Sequence, residues 1–243
     1  MARQPKLILR ESALEDEMRS WNPGTFLEVG SGTGYMTRKL LDKQFRGACF
    51  ELGDAAREKL KDNLQSYGKS IDVLDDLSAL EKKQFDYLFS FEVLEHIEED
   101  LSALKLWSRY LKPSGQILLS VPAHQHKYGK ADELVGHVRR YERSQLIELL
   151  EMSGYHEIRI INYGFPVSEI TRPISNMLLK NVYPERSLSM TERSTQSSFK
   201  RQTHIQAIIN LMGENIFLPF SKIQRWFYHL DWADGIIASA RKI

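Results

Sequence analysis

The stretch Phe26-Leu-Glu-Val-Gly-Ser-Gly-Thr-Gly34 decides the fold of this 243-residue chain. The apolar run from Thr25 to Gly30 ends in glycine and predicts a strand, and helical spacing begins at Tyr35, directly after the third glycine. Gly30 and Gly32 permit positive φ and would leave room for a ligand against bare backbone. The N–H groups of the following helix would point at that ligand. The stretch therefore predicts a strand, a ligand-binding turn and a helix.

The carboxylate of Glu28 distinguishes this turn from a dinucleotide-binding turn. The glycine spacing is GxGxG, whereas the dinucleotide fingerprint is GxGxxG. Glu28 stands two residues before the first glycine, where it would repel a pyrophosphate and attract a cationic ligand. These two features disfavour a nicotinamide-dependent dehydrogenase, which would share the fold class.

Strands and helices alternate along the chain after this turn. Further strands are predicted at residues 47–52, 70–74, 85–90, 116–121, 157–161 and 232–241, and helices at 35–45, 55–67, 101–111 and 144–153. Alternation of this kind predicts an α/β fold with a doubly wound, mostly parallel, Rossmann-like sheet of seven strands. A helical insertion is expected before the last strand.

Four segments are expected along the chain. They are an N-terminal helical segment at 1–22, the Rossmann-like core at 23–164, a helical insertion at 165–230 and the last core strand at 231–243. Within the insertion, residues 185–203 are rich in Ser, Thr, Arg and Gln, so we expect a mobile loop there, with helices at 166–182 and 204–230. We expect the insertion to form a lid over the substrate.

The composition excludes several classes of protein. Lys and Arg number 33 against 32 Asp and Glu, a net charge of +1, which disfavours nucleic acid as a partner. The single cysteine excludes a disulfide framework and fits a reducing compartment. No apolar run approaches the roughly 20 residues of a transmembrane helix, and no signal peptide is evident. We expect a cytoplasmic protein, with peripheral membrane contact through the C-terminal insertion left open.

The run Glu28-Val-Gly-Ser-Gly-Thr-Gly34 resembles the first motif of the class I S-adenosylmethionine-dependent methyltransferases. Other markers follow in the family's order: Glu51, Asp75-Asp76, Phe85-Asp86, Phe91-Glu-Val-Leu-Glu-His-Ile97 and Leu111-Lys-Pro-Ser-Gly115. The resemblance implies that the 23–164 core binds S-adenosylmethionine. The residues expected to bind the cofactor are Glu28, Gly30, Ser31, Gly32, Gly34, Tyr35, Glu51, Leu52, Asp75, Asp76, Phe91 and Glu92.

Two acidic positions have specific roles by this resemblance. The family places an acid at the end of the second strand, here Glu51, where it holds both ribose hydroxyls in charge-assisted hydrogen bonds. The family also places an acid near the adenine amino group after the third strand. Asp75 is preferred over Asp76 for that role.

The run Glu92-Val-Leu-Glu95-His96 raises the question of a divalent metal. In a helix, residues 92, 95 and 96 would share one face. The run resembles the metal-binding ExxEH of ubiquinone-pathway O-methyltransferases and of small-RNA 2′-O-methyltransferases, and His137 could match a further histidine of the RNA enzymes. Glu92, Glu95, His96 and His137 would suit Mg²⁺, Mn²⁺ or Zn²⁺. The alternative is that Glu92 caps a turn and His96 packs beneath the cofactor site.

The candidate general bases lie mostly after the fifth predicted strand. His137, in Gly136-His-Val-Arg-Arg-Tyr-Glu-Arg143, is the first choice because imidazole titrates near neutral pH. His96, His124 and Tyr141 are the other candidates. This part of the chain follows the carboxyl end of a strand, which is where doubly wound sheets bind ligands.

The expected function is methyl transfer from S-adenosylmethionine to an oxygen or nitrogen atom of a small acceptor. Aromatic and apolar residues in the insertion favour an apolar or amphiphilic acceptor. A metal-assisted O-methyltransferase of the ubiquinone-pathway or RNA 2′-O type remains an alternative. A non-catalytic subunit that binds S-adenosylmethionine is an alternative of another class. The acceptor and the oligomeric state do not follow from the sequence.

Overall fold

The structure is a computed structural model that describes residues 4–80, 83–182 and 214–243. The loop predicted at 185–203 lies outside the described residues, and so does the first part of the helix predicted at 204–230. In the part of the chain that the structure describes, no helix has both the length and the apolar character needed to cross a membrane.

A seven-stranded sheet organises the chain, as predicted. The strands are β1 (Thr25–Val29), β2 (Arg46–Phe50), β3 (Ile71–Leu74), β4 (Phe85–Phe91), β5 (Leu111–Pro122), β6 (Tyr155–Tyr163) and β7 (Gly235–Lys242). Their order is β3-β2-β1-β4-β5-β7-β6. The neighbouring pairs among β1 to β5 are parallel, and one antiparallel pair lies at the C-terminal end. The predicted α/β, mostly parallel Rossmann-like fold is confirmed.

The described helices connect and flank the strands. They are α1 (Pro5–Glu17), α2 (Tyr35–Asp42), α3 (Asp54–Leu64), α4 (Asp100–Arg109), α5 (Lys130–Val135), α6 (Arg143–Met152), α7 (Val167–Leu178) and α8 (Leu218–Ile223). Short 3₁₀ turns stand between several of them, among them Leu94–His96 and Gln125–Lys127.

The fifth strand begins earlier than the sequence predicts. Strand β5 begins at Leu111, which pairs with Phe85, whereas the prediction placed its start at Gln116. The next pairing joins Gln116 to Tyr87, so four residues of β5 face one residue of β4. The turn residues that were expected to precede the strand therefore form an irregularity inside it, and Ser114 has a φ of 60°.

The predicted helix at 204–230 is shorter and broken in its described part. Residues 214–230 form the 3₁₀ turn Glu214–Phe217, helix α8 and a second 3₁₀ turn, Gln224–Phe227. Pro219 lies in the first turn of α8. Proline lacks the N–H that would continue a helix from the preceding turn, so it starts a helix readily and interrupts one.

Aromatic residues fill the space beside the central strands. Phe26 of β1 packs against Phe89 of β4 with ring centroids 5.8 Å apart, and Phe45 contacts Phe89 edge-on at 6.2 Å. The rings of Trp21 and Tyr87 stack at 5.1 Å. Beyond their buried area, such pairs contribute about 0.5–1.5 kcal/mol each, and the Phe26–Phe89 pair joins β1 to β4.

The chain divides into two compact units. The core unit comprises Trp21–Ser120, Ser144–Arg159 and Ala238–Ile243, and it contains the glycine turn. The helical unit comprises Met1–Ser20, Val121–Arg143 and Ile160–Ile237. The four-segment division expected from the sequence stays a prediction.

Candidate active site

The glycine turn is anchored to the end of β2. The N–H groups of Gly30 and Ser31 both donate to the carbonyl oxygen of Phe50, at 2.8 and 3.1 Å. Gly30, Gly32 and Gly34 all have positive φ, at 76°, 55° and 85°. This conformation is accessible to glycine at little cost, and it reverses the chain from β1 into α2 within a few residues.

The absence of a side chain at Gly30 is required by packing, and its expected contact with a ligand stays a prediction. A Cβ atom at Gly30 would lie 2.3 Å from Cγ2 of Val93, and one at Gly34 would lie 2.7 Å from Cδ1 of Leu60. The turn after β1 therefore packs closely against the residues that follow β4 and against α3. Doubly wound sheets bind ligands where the strand order reverses, and here that point lies between β1 and β4.

Glu51 is held in one orientation by two backbone amides. Its Oε2 accepts a hydrogen bond from the N–H of Gly32 at 2.8 Å, and its Oε1 accepts one from the N–H of Gly53 at 3.0 Å. The side chain is buried, whereas the neighbouring Leu52 is 59% exposed. Each carboxylate oxygen keeps a second lone pair for a hydroxyl donor. The end of β2 thus presents a fixed anionic acceptor beside an exposed apolar residue.

Glu28 is buried inside the core unit. Its Oε2 accepts a hydrogen bond from Oγ1 of Thr37, a residue of α2, at 2.5 Å. Burial raises the pKa of the Glu28 carboxyl to about 7, although the Thr37 hydrogen bond opposes the shift. The nearby charge of Glu51 also raises this pKa. A cation bound close to Glu28 would stabilise the carboxylate form.

We expect Glu28 to make the protein less stable as the pH rises. Because its folded pKa of about 7 exceeds the ordinary 4.5, its contribution is fully present below pH 4.5 and is lost as the pH rises through about 7. Glu28→Gln, which stays neutral, should remove up to about 3 kcal/mol of this pH dependence. Urea unfolding at pH 5 and pH 8 measures the difference.

The matched control for this prediction is Glu58→Gln, because Glu58 is an exposed acid of α3. Its unfolding should keep the wild-type dependence on pH. If the free energy of unfolding changed equally with pH in Glu28→Gln and in the wild type, the assignment of a raised pKa to Glu28 would be contradicted.

The two acids after β3 differ in their contacts. Oδ1 of exposed Asp75 lies 3.0 Å from both Nζ of Lys61 and Nε of Arg57. Oδ1 of Asp76 accepts a hydrogen bond from the N–H of Ser78 at 2.6 Å. Hydrogen bonding and the charge of Lys61 lower the pKa of Asp75, and the Ser78 hydrogen bond lowers that of Asp76. The preference for Asp75 near an adenine stays a prediction.

Glu92 does not lie in a helix, so the assumption behind the helical face of residues 92, 95 and 96 is wrong. Its φ is 57°, its N–H donates to the carbonyl of Ser120, and its Oε1 accepts from Oγ of Ser120 at 3.2 Å. Backbone pairing with β5 continues past Phe91, the last residue of β4, and this prevents a helix from starting at Glu92. Glu95 and His96 lie together in a 3₁₀ turn in the core unit.

Three further predicted cofactor residues lie in the glycine turn or at the ends of the elements that flank it. Oγ of Ser31 lies 3.3 Å from the carbonyl oxygen of Glu28. Tyr35 is the first residue of α2 and is half-buried, and Phe91 is buried at the end of β4. All of these residues belong to the core unit, and their role in binding the cofactor stays a prediction.

His137 lies in the helical unit and is paired with a buried acid that the sequence analysis did not identify. Nδ1 of His137 is 2.7 Å from Oδ1 of Asp132, and Nε of Arg140 is 3.0 and 3.1 Å from the two oxygens of Asp132. Burial raises the pKa of Asp132, but the hydrogen bond with His137 and the charge of Arg140 outweigh it and hold the pKa at about 2. Asp132 is therefore ionised and orients the imidazole.

The signal for Asp132 in the sequence is weak. It precedes His137 by five residues, and Gly136 ends α5 in the left-handed conformation with a φ of 82°. Folding back of the chain at Gly136 brings the two side chains together. An acid five residues before a candidate base, with a glycine between them, is the pattern in the sequence that indicates the pair.

The ionic contacts of Arg140 extend further through the helical unit. Nη1 of Arg140 donates to Oδ1 of Asp234 at 2.9 Å, and Nε of Arg172 lies 3.3 Å from the same oxygen. Lys127 is also buried, and its Nζ donates to Oε1 of Glu169 at 2.7 Å. Buried charges of this kind are tolerated because each has an opposite charge and hydrogen bonds.

The other candidate bases of the helical unit are buried. Nδ1 of His124 lies 2.9 Å from Oε2 of Glu142. The backbone N–H of Tyr141 donates to the carbonyl of Pro122, and its side chain is 3% exposed. The carboxylate that pairs with His137 is almost fully buried, whereas Glu142, the partner of His124, is 36% exposed.

Comparison with known proteins identifies the family to which the chain belongs. A family model described as a methyltransferase domain matches residues 6–159, which is more than half of the chain. The chain is 27% identical over 111 residues to a malonyl-[acyl-carrier protein] O-methyltransferase of Neorickettsia risticii, covering 45% of this chain and 44% of that protein. It is 24% identical over 98 residues to a ubiquinone biosynthesis O-methyltransferase of Stutzerimonas stutzeri, covering 39% and 42%.

Among solved structures, the chain is similar to phosphoethanolamine N-methyltransferase 2 of Haemonchus contortus in complex with S-adenosyl-L-methionine. The TM-score is 0.60 at 15% identity, and the match covers 96% of this chain and 52% of that one. A likeness at this identity shows the fold. The matches span less than half the length of the two curated relatives.

Proposed function

Because the chain belongs to the family of methyltransferase domains, we propose that it transfers a methyl group from S-adenosylmethionine to a small acceptor. The observation that carries the choice of cofactor is Glu51, whose two oxygens are fixed by the amides of Gly32 and Gly53 beside the glycine turn. This fixed anionic acceptor suits a ribose with two hydroxyls and a cationic sulfur better than it suits a pyrophosphate.

S-adenosylmethionine, when bound, supplies an electrophilic methyl group on a sulfonium. Glu51 would accept the two ribose hydroxyls, exposed Leu52 would contact the adenine, and Asp75 would lie near the adenine amino group. Buried Glu28 would support the positive charges of the cofactor. These residues act mainly by positioning, because in-line displacement requires the acceptor atom, the methyl group and the sulfur to be collinear.

The acceptor atom in this proposal is an oxygen or a nitrogen. Two curated relatives are O-methyltransferases, whereas the structural neighbour from Haemonchus contortus is an N-methyltransferase. Exposed Ile170, Ile174 and Met177 stand at helical spacing on α7, which favours an apolar or amphiphilic acceptor. These three residues also support the expected role of the insertion in substrate binding.

Binding of the cofactor is tested by isothermal titration with S-adenosylmethionine and S-adenosylhomocysteine, with and without Mg²⁺. We expect micromolar binding of both in the absence of metal. Absence of binding under both conditions would overturn the proposal. Single-turnover transfer to a panel of phenols, amines and carboxylic acids then distinguishes an enzyme from a subunit that only binds the cofactor.

For a hydroxyl acceptor, we propose His137 as the general base and Asp132 as its positioning residue. When Nδ1–H donates to Asp132, the basic nitrogen is Nε2. His137→Ala should lower kcat about 100-fold, because a positioned base contributes at least that much. The KM for S-adenosylmethionine should stay unchanged, since His137 has no part in holding the cofactor.

Asp132→Asn should lower kcat and leave the KM for S-adenosylmethionine unchanged, because the amide no longer orients the imidazole of His137 as the buried carboxylate does. The matched control is Glu133→Gln, an exposed neighbour on α5. Wild-type kcat in Asp132→Asn would exclude the positioning role of Asp132, and full activity in His137→Ala would exclude His137 as the base.

A further inference from the structure

Three side chains of metal-binding type lie together in the helical unit, apart from those that the proposed function uses. One ligand atom each from His124, His126 and Glu142 lies within 4.8 Å of the other two. His124 is buried, whereas His126 is exposed. The three residues differ from the set Glu92, Glu95, His96 and His137 that the sequence suggested for a metal.

The backbone holds two of these ligands beside each other. The N–H of His124 donates to the carbonyl of Tyr141 at 2.9 Å, so residues 124 and 142 stand at the two ends of a closed loop. The N–H of Gln125 donates to Oε1 of Glu142 at 2.9 Å. The other oxygen, Oε2, is thereby directed at Nδ1 of His124, also at 2.9 Å.

The second ring nitrogen of His124 faces a carboxylate, as it does in histidines that bind a metal through the other nitrogen. Nε2 is buried and has no hydrogen-bond partner among the described residues. It lies 3.6 Å from Oδ1 of Asp231, which is slightly too far for a hydrogen bond. Histidines that bind metals through one nitrogen almost always donate the other N–H to a carboxylate or carbonyl. Asp231 stands where that carboxylate would be, and Asn162 holds it there at 3.0 Å.

We propose that His124, His126 and Glu142 bind a divalent transition-metal ion of the Zn²⁺ type. The ion takes the place of the proton between Nδ1 of His124 and Oε2 of Glu142, and Nε2–H of His124 then donates to Asp231. Two imidazoles and one carboxylate form a three-ligand set that zinc uses with a water in its fourth position.

The distances are compatible with this geometry after small movements. Zinc bonds of about 2.0–2.2 Å place tetrahedral ligand atoms about 3.3 Å apart. The pair at 2.9 Å therefore needs to widen by a few tenths of an ångström. The imidazole of His126 must move closer to Nδ1 of His124 and Oε2 of Glu142, and its exposed side chain can rotate to do so.

The position of the site suggests what the ion does. The loop that it closes, residues 124–142, contains Asp132, His137 and Arg140. An ion at the two ends of this loop would restrict its opening and so support the orientation of His137. Metal binding itself is independent of methyl transfer, and it is measured without the methyl donor.

The experiment is isothermal titration of the metal-free protein with ZnCl₂ at pH 7.5. We expect one equivalent to bind with a Kd below 1 μM. His126→Ala and Glu142→Gln should each weaken binding at least tenfold, and Asp231→Asn should weaken it about 10- to 100-fold. His126 is exposed, so its replacement leaves the fold intact and serves as the principal variant.

The controls separate this site from other zinc ligands. His156→Ala, which removes an exposed histidine of the core unit, should bind zinc as the wild type does. His96→Ala should also retain binding. The proposal would be overturned if His96→Ala lost zinc binding while His126→Ala kept the wild-type affinity for zinc. A Kd for zinc above about 100 μM in the wild-type protein would overturn it as well.

Discussion

Glu51→Gln should weaken the binding of S-adenosylmethionine and S-adenosylhomocysteine by a factor of 100 or more. In the proposed complex, the carboxylate accepts two ribose hydroxyls, and hydrogen bonds to a charged group contribute about 1.5–3 kcal/mol each. Glutamine has no charge and only one accepting oxygen, and its NH₂ group would face the N–H of Gly32 or Gly53. A loss of about 3 kcal/mol corresponds to more than a hundredfold in Kd. Isothermal titration measures it.

The same titration of Glu58→Gln provides the control, because that variant removes an exposed acid from the adjacent helix. Its affinity should equal that of the wild type. Circular dichroism should show that both variants retain the fold. Wild-type affinity in folded Glu51→Gln would refute the assignment of Glu51 to the ribose and would place the cofactor elsewhere.

Arg140→Ala should lower the free energy of unfolding by about 3–5 kcal/mol. Arg140 is 6% exposed, and it neutralises Asp132 and Asp234, which are also buried. Its removal leaves two carboxylates in the interior without this partner, and solvation cannot replace it there. The loss should be larger at pH 7 than at pH 4, because Asp132 can take up a proton more easily in acid once Arg140 is gone.

The variant Arg140→Lys tests the geometry of the same contacts. Lysine keeps the charge but lacks the planar group that reaches both acids, so it should lose less stability than alanine. Arg139→Ala is the matched control, since Arg139 is the half-buried neighbour. Urea unfolding measures all three. If Arg139→Ala and Arg140→Ala lowered the free energy of unfolding by the same small amount, the buried ionic contacts of Arg140 would contribute little to stability.

The sequence was sufficient for the fold and for the strand, the glycine turn and the helix that follow one another from Thr25 to Asp42. Strands and helices alternate with a regular hydrophobic pattern, and this pattern depends on local burial and backbone preference. The three glycines and Glu51 are close in the chain to strand ends, whose positions the pattern also predicts. Errors occurred at Gly115 and Glu92, where pairing between β4 and β5 overrode the local turn and helix signals.

What the sequence by itself determined is the seven-stranded α/β fold and the methyltransferase family, because both depend on residues within short local segments. Only the tertiary structure decided which charges meet: Asp132 with Arg140 and His137, Arg140 with Asp234, and His124 with Glu142. Arg140 and Asp234 are 94 residues apart. Coulomb attraction depends on distance in space and on burial, and neither quantity is encoded in the local pattern of residues.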